Sequence, residues 1–211
     1  MRYLLALAPL LCFAADTDSL PPASITILLS GGSPAPNVLP ALKTAVESAF
    51  AHSRITLRWL EKEHVPAEGV NGELLIIRLR GSCSTDDPAA AEVLRRVEGP
   101  VTLGLTHVAD GKMLPIADVL CDPIRTLIQR DLLTSPSADR EELLGRALGR
   151  VAAHEIYHIL LHTAAHDRAG LSRASQSSAD LLADEASFNA VEQQRLAAAG
   201  ADGATSASGR H

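Results

Sequence analysis

The chain has 211 residues, 46% of them apolar and 21% charged, with a formal net charge of −6. That length and apolar content suffice to bury a real core, which excludes intrinsic disorder over most of the chain. Aromatic residues make up only 3% and no basic stripe is present, so the chain offers neither stacking platforms nor a phosphate-binding face and nucleic acid is excluded as a partner.

The first fifteen residues have the layout of a secretory signal peptide. Arg2 precedes a run of about a dozen apolar residues that ends in the small pair Ala14-Ala15, too short a run to span a bilayer. Cleavage near Ala14 or Ala15 leaves an exported mature chain, secreted or periplasmic, with no stable membrane insertion. Cys12 leaves with the signal. Cys83 and Cys121 then remain as an even pair in an oxidising compartment, where a disulfide is expected.

Beyond a Pro-rich lead, Ser24–Leu29 reads as a buried strand closed by Ser30-Gly31-Gly32-Ser33-Pro34. A helix follows, with Asn37 as candidate cap and Leu39, Leu42, Ala45, Val46, Ala49 and Phe50 at helical spacing. Arg54–Leu60 alternates polar and apolar as a strand with one wet face, and Leu74–Leu79 is a third strand ending near Cys83. Val101–Val108 and Met113–Leu120 flank Ala109-Asp110-Gly111-Lys112, and Asp-Gly between two such runs predicts a β-hairpin. Ser135-Pro136-Ser137 and the acids Asp139, Glu141 and Glu142 open a long helix from about Ala138 past His158. Residues 180–188 read as a further short amphipathic helix. The small-residue stretch from 197 to 211 has little to pack and is expected to be a disordered tail. Residues 16–196 are left as a single domain, expected to be a monomer.

The long helix contains His154-Glu155-Ile156-Tyr157-His158, an H-E-x-x-H motif. Residues four apart lie on one helix face, so two imidazoles reach one Zn²⁺ while Glu155 leans toward the water bound to it. Zinc acidifies that water, Glu155 takes its proton, and a polarised carbonyl is attacked; Glu155 then passes the proton to the leaving amine. Zinc needs a third protein ligand and one open position. His162 lies eight residues from His154, about 12 Å along an unbroken helix and too far to share the ion, which leaves it at the rim of the site. His166 is better placed, because the chain can leave the helix after His162 and turn back, with Gly170 permitting a tight bend. Glu185, on the 180–188 segment, is the alternative third ligand. Tyr157 fits a packing role better than an oxyanion donor, and His52, His64 and His107 have no partners at ligand spacing.

His154-Glu155-x-x-His158 followed by His166 and Gly170, H-E-x-x-H-x₇-H-x₃-G, resembles the metzincin type of zinc peptidase and a set of small exported bacterial predicted metalloproteases. The resemblance is sharp over residues 138 to 171. It implies an α+β, zincin-like fold: a mixed, mostly β sheet with one backing helix, one active-site helix and a short C-terminal helical part, its edge strand holding substrate in extended form. It also implies His154, His158 and His166 as zinc ligands and Glu155 as general base of a secreted zinc metalloendopeptidase acting on a peptide or protein substrate. The chain departs from the usual metzincin pattern in three places. Ala164 stands where the third histidine ordinarily falls, the glycine that bends the chain after the helix is missing, and no methionine follows the site. These departures and the short length motivate an alternative, an exported zinc-binding, non-catalytic module with a zincin fold.

Overall fold

A computed structural model describes residues 23–60, 73–85 and 101–208, the last eight of these as backbone only. The expected signal segment lies outside the described residues. The elements in chain order are β1 (Ala23–Ser30), α1 (Val38–Phe50), β2 (Ile55–Leu60), β3 (Glu73–Arg80), β4 (Gly104–Ala109), β5 (Lys112–Leu120), α2 (Cys121–Leu127), α3 (Gln129–Thr134), a 3₁₀ turn (Ser137–Asp139), α4 (Arg140–Leu160), α5 (Ser178–Leu182) and α6 (Ala190–Ser208).

The strands form one five-stranded sheet in the order β2-β1-β3-β5-β4. Strands β2, β1, β3 and β5 pair in parallel, and β4 alone runs antiparallel, against β5, at the sheet edge. The architecture is therefore a mixed α/β fold with a mostly parallel sheet, in which α1 returns the chain between the parallel strands β1 and β2. The expected hairpin is β4–β5. Asp110 and Gly111 both take positive φ, 51° and 72°, the pair of values that a two-residue turn matched to strand twist requires.

One face of the sheet is aliphatic, as the scarcity of aromatics demands. Ile27, Leu75, Ile77, Ala117 and Val119 are fully buried and join Leu42, Val46, Leu148 and Ala152 of the helices in one core. Helices α1 and α4 approach closely enough for their backbones to touch. A Cβ added to Gly149 would lie 2.5 Å from the Leu42 carbonyl oxygen, so the small side of α4 is what lets it sit against α1.

Several local expectations are corrected. Neither Asn37 nor the Ser135–Ser137 segment caps its helix through a side chain; the Asn37 N–H instead donates to Glu141 Oε2 at 3.0 Å, tying α1 to α4. The expected helix at 180–188 is displaced: α5 spans Ser178–Leu182 and stops at Ala183, whose ψ is 147°. Ser177 and Asp180 form a reciprocal capping box there, which starts the helix two residues early. The chain from 197 onward, expected as a disordered tail, continues α6 as far as Ser208. Its alanines favour helix, and tertiary contact secures it: Leu196 is fully buried, and Gly200 lies against Ala23 and Ile55.

Candidate metal centre

Helix α4 is unusual in burying polar groups along its C-terminal half. His154, Glu155 and His158 are each less than 10% exposed, a cost that is tolerated only where every polar atom finds a partner. The partners come from the segment that follows the helix. His154 Nδ1 is 2.7 Å from the Leu171 carbonyl oxygen, and His158 Nδ1 is 2.7 Å from that of Thr163. Gln176 Nε2 also donates to the Leu171 carbonyl, at 2.9 Å.

These contacts fix both tautomers. A carbonyl oxygen only accepts, so each Nδ1 carries a proton and each neutral ring presents a bare Nε2 lone pair. The two Nε2 atoms converge to 2.9 Å. Burial lowers the pKa of both rings, that of His154 to about 4, which disfavours the second proton that would bridge the gap. Two buried lone pairs facing each other form a donor set for a cation.

His166 completes the group. Its ring centroid lies 5.3 Å from that of His154 and 4.8 Å from that of His158, and one ring nitrogen from each of the three falls within 4.8 Å of the others. All-nitrogen sets of three histidines with an accessible side suit zinc. Among the described residues these three are the one such group. Glu185, the alternative ligand, is exposed and outside it; its neighbour Asp184 pairs with Arg146 at 3.0 Å.

His162 does not reach the centre. It takes φ 46° at the end of α4, while its N–H donates to Ile159 O at 3.2 Å and the Thr163 N–H to His158 O at 3.2 Å. This is a Schellman termination with histidine in the left-handed position usually held by glycine. The turn swings Thr163 back, so that its carbonyl meets His158.

Glu155 stands beside the histidines, gripped by the edge strand. Its Oε2 accepts a 2.8 Å hydrogen bond from Thr106 Oγ1. A Cβ on Gly104 would fall 2.7 Å from its Oε1, so β4 can press against the carboxylate only with glycine there. Burial pushes the Glu155 pKa up to about 7, against the opposing pull of the Thr106 bond. Thr106, Gly104, Gln176 and the two carbonyls carry no spacing signal in the sequence; they meet the helix only through the fold. Above the histidines opens a cleft of about 800 Å³, walled by Leu103, Val108, Met113 and Leu127 on its apolar side and bordered by Arg173 and Gln176.

The remaining expected sites resolve separately. The Cys83 and Cys121 sulfurs lie at bonding distance, with Cα atoms 5.1 Å apart. Tyr157 is buried and stacks on Phe188 with ring centroids 5.2 Å apart, a packing role. His107 contacts Asp118 at 3.1 Å and Arg78 at 2.8 Å, away from the cluster.

No family model matches the chain, and no curated protein matches it. Solved structures do. A zinc-dependent peptidase from Methanocorpusculum labreanum superposes with a TM-score of 0.50 at 13% identity, over 81% of this chain and 99% of that one. The fold resembles that of a solved zinc-dependent peptidase. An archaemetzincin from Methanopyrus kandleri aligns with a TM-score of 0.46 at 12% identity, over 84% of this chain and 95% of that one.

Proposed function

We propose that the chain is an exported zinc-dependent peptidase of metzincin-like architecture, in which His154, His158 and His166 hold the metal and Glu155 is the general base. The observation that carries the reading is the convergence of two buried Nε2 lone pairs and the His166 ring at the floor of a cleft, with a buried carboxylate next to them. Zinc bound there supplies a Lewis acid that polarises a carbonyl and acidifies a water.

The chain's own residues do the rest. The Leu171 and Thr163 carbonyls aim the two imidazoles and keep each Nδ1 protonated. Glu155, poised near neutrality, is suited to take a proton from water and return it to a leaving amine. Strand β4 borders the cleft as the edge of the sheet among the described residues, where an extended peptide can lie along backbone groups that no described strand pairs. The signal-like segment at residues 1–15 and the Cys83–Cys121 pair support export to an oxidising compartment. Among the described residues no helix is long and apolar enough to cross a membrane.

Two variants test the reading. Glu155→Gln is expected to retain stoichiometric zinc and to lose peptide hydrolysis by about a hundredfold or more, while His166→Ala loses zinc as well. Metal analysis beside a peptide-library digest decides the matter. Zinc without cleavage of any peptide by the wild type would overturn the peptidase reading in favour of a zinc-binding module, and absence of zinc would overturn both.

A further inference from the structure

The segment between α4 and α5 supplies His166 and both carbonyls that aim the other histidines, yet it contains little regular structure of its own. What holds it is the first turn of α6. Asn189 Oδ1 accepts from the Val191 and Glu192 N–H groups at 2.9 and 3.0 Å, and Glu192 Oε2 accepts from the Asn189 N–H at 2.5 Å. This reciprocal pair is a capping box. A surface capping box uses its carboxylate only to close the helix end, but Glu192 is fully buried. Its second oxygen, Oε1, accepts from the Ser172 N–H at 2.8 Å.

Ser172 directly follows Leu171, whose carbonyl aims His154. The contact is tight on the other side as well. Gly170 has φ 87°, and a Cβ there would collide with Glu192 Oε2, so this glycine answers both a backbone and a steric demand. Asn189 Nδ2 donates to Ala169 O at 3.0 Å. One turn further along α6, Arg195 Nη1 donates to Asp167 Oδ2 at 2.7 Å and to the Tyr157 hydroxyl at 3.1 Å. Asp167 is the neighbour of His166, and its N–H donates to Ser172 O at 3.2 Å. Three side chains of one helix start thus hydrogen-bond to three points of the ligand-bearing segment, Ser172, Ala169 and Asp167.

We infer that Glu192 is a positioning residue of the metal centre, acting with Arg195 to make the start of α6 the clamp that sets the His154 partner and the His166 backbone. The inference rests on the zinc-site reading above. Its physical basis is that a buried carboxylate accepting two backbone amides is satisfied in one geometry only. Glutamine keeps the shape but offers a single acceptor and turns an amide group toward one of the two N–H donors.

The experiment compares full-length wild type, Glu192→Gln, Arg195→Gln and a control, Val46→Ala, which opens the core at α1, a helix that contributes no residue to the histidine cluster or the cleft. Zinc affinity is read by chelator competition, the visible absorption of the cobalt(II)-loaded protein reports ligand geometry, and thermal unfolding of metal-free protein reports stability. Glu192→Gln is expected to weaken zinc binding about 10- to 100-fold and to shift the cobalt bands. Val46→Ala should lower the melting temperature with both metal readouts unchanged. Wild-type affinity and spectrum in Glu192→Gln would overturn the inference while leaving the zinc site standing, and so would equal weakening by Val46→Ala. If Glu192→Gln does not fold, Arg195→Gln carries the test, since Arg195 is about half exposed; unchanged zinc affinity there would overturn it. A wild type that binds no zinc would overturn the site and the inference together.

Discussion

Among the described residues Thr106 is the side-chain partner of Glu155, across 49 residues of sequence, and the bond decides where the carboxylate can point. A hydrogen bond to a charged group is worth about 1.5–3 kcal/mol, which corresponds to about 10- to 100-fold in kcat/KM if the orientation is needed only as the reaction proceeds. Thr106→Val, which keeps the β-branched shape, is therefore expected to lower kcat/KM by that factor with zinc content unchanged. Hydrolysis at the wild-type rate would show that Glu155 is aimed by something else. The two histidines and Glu155 could be read directly from residue order, because spacing of one and four on a helix is a geometric statement in itself. Thr106 could not, since nothing in the sequence says which inward position of a predicted strand will face which turn of a predicted helix. His166 sits between these cases: its distance from His158 permitted a return to the other two imidazoles, and only the left-handed turn at His162 delivers it.

That turn governs α4 as an element. An L-residue in the left-handed region costs about 1–2 kcal/mol, and glycine, though it loses more entropy on folding by about 0.5–1 kcal/mol, escapes the steric part. His162→Gly should therefore raise stability by about 0.5–1 kcal/mol, or about 1–4 °C in melting temperature for a chain of this size, with zinc binding intact. Loss of zinc in this variant would mean that the His162 ring acts at the centre after all. At this scale the sequence was most readable where periodicity ran long. Strands β1, β2 and β3 follow from apolar runs or alternation, the hairpin from Asp110-Gly111 between two such runs and α4 from the acids that open it, while α2 and α3, seven and six residues long, are too short to display a period. The same holds for α5, whose start is set by the Ser177–Asp180 box rather than by its apolar residues. Asn189 and Glu192, three apart, carry the capping-box signature in plain view; what the sequence does not state is that the carboxylate's other oxygen is already committed to Ser172.

For the whole molecule, strand order is what joins the parts, and it is set by long-range pairing that local pattern does not encode. Placing β4 outermost turns its inward face, Gly104 and Thr106, onto Glu155, and its other edge, unpaired among the described strands, borders the cleft. The Cys83–Cys121 pair spans 38 residues of sequence, a segment that includes both strands of this hairpin, and Cys121 opens α2, whose Pro123 and Leu127 border the cleft. A bridge there restrains the edge hairpin and the cleft wall as one loop. Closing a loop of that length stabilises by about 2–4 kcal/mol, largely by restricting the unfolded chain, which corresponds to about 5–15 °C for a chain of this size. Reductant is therefore expected to lower the melting temperature of the wild type by that amount and to leave Cys83→Ala, already without the bridge, at its own lower value. Peptide hydrolysis should fall along with stability, with the loss appearing first in KM, because the wall that receives substrate loosens before the buried histidines do. A melting temperature indifferent to reductant would show that the two buried sulfurs are unbridged, and would leave an oxidising compartment without structural support.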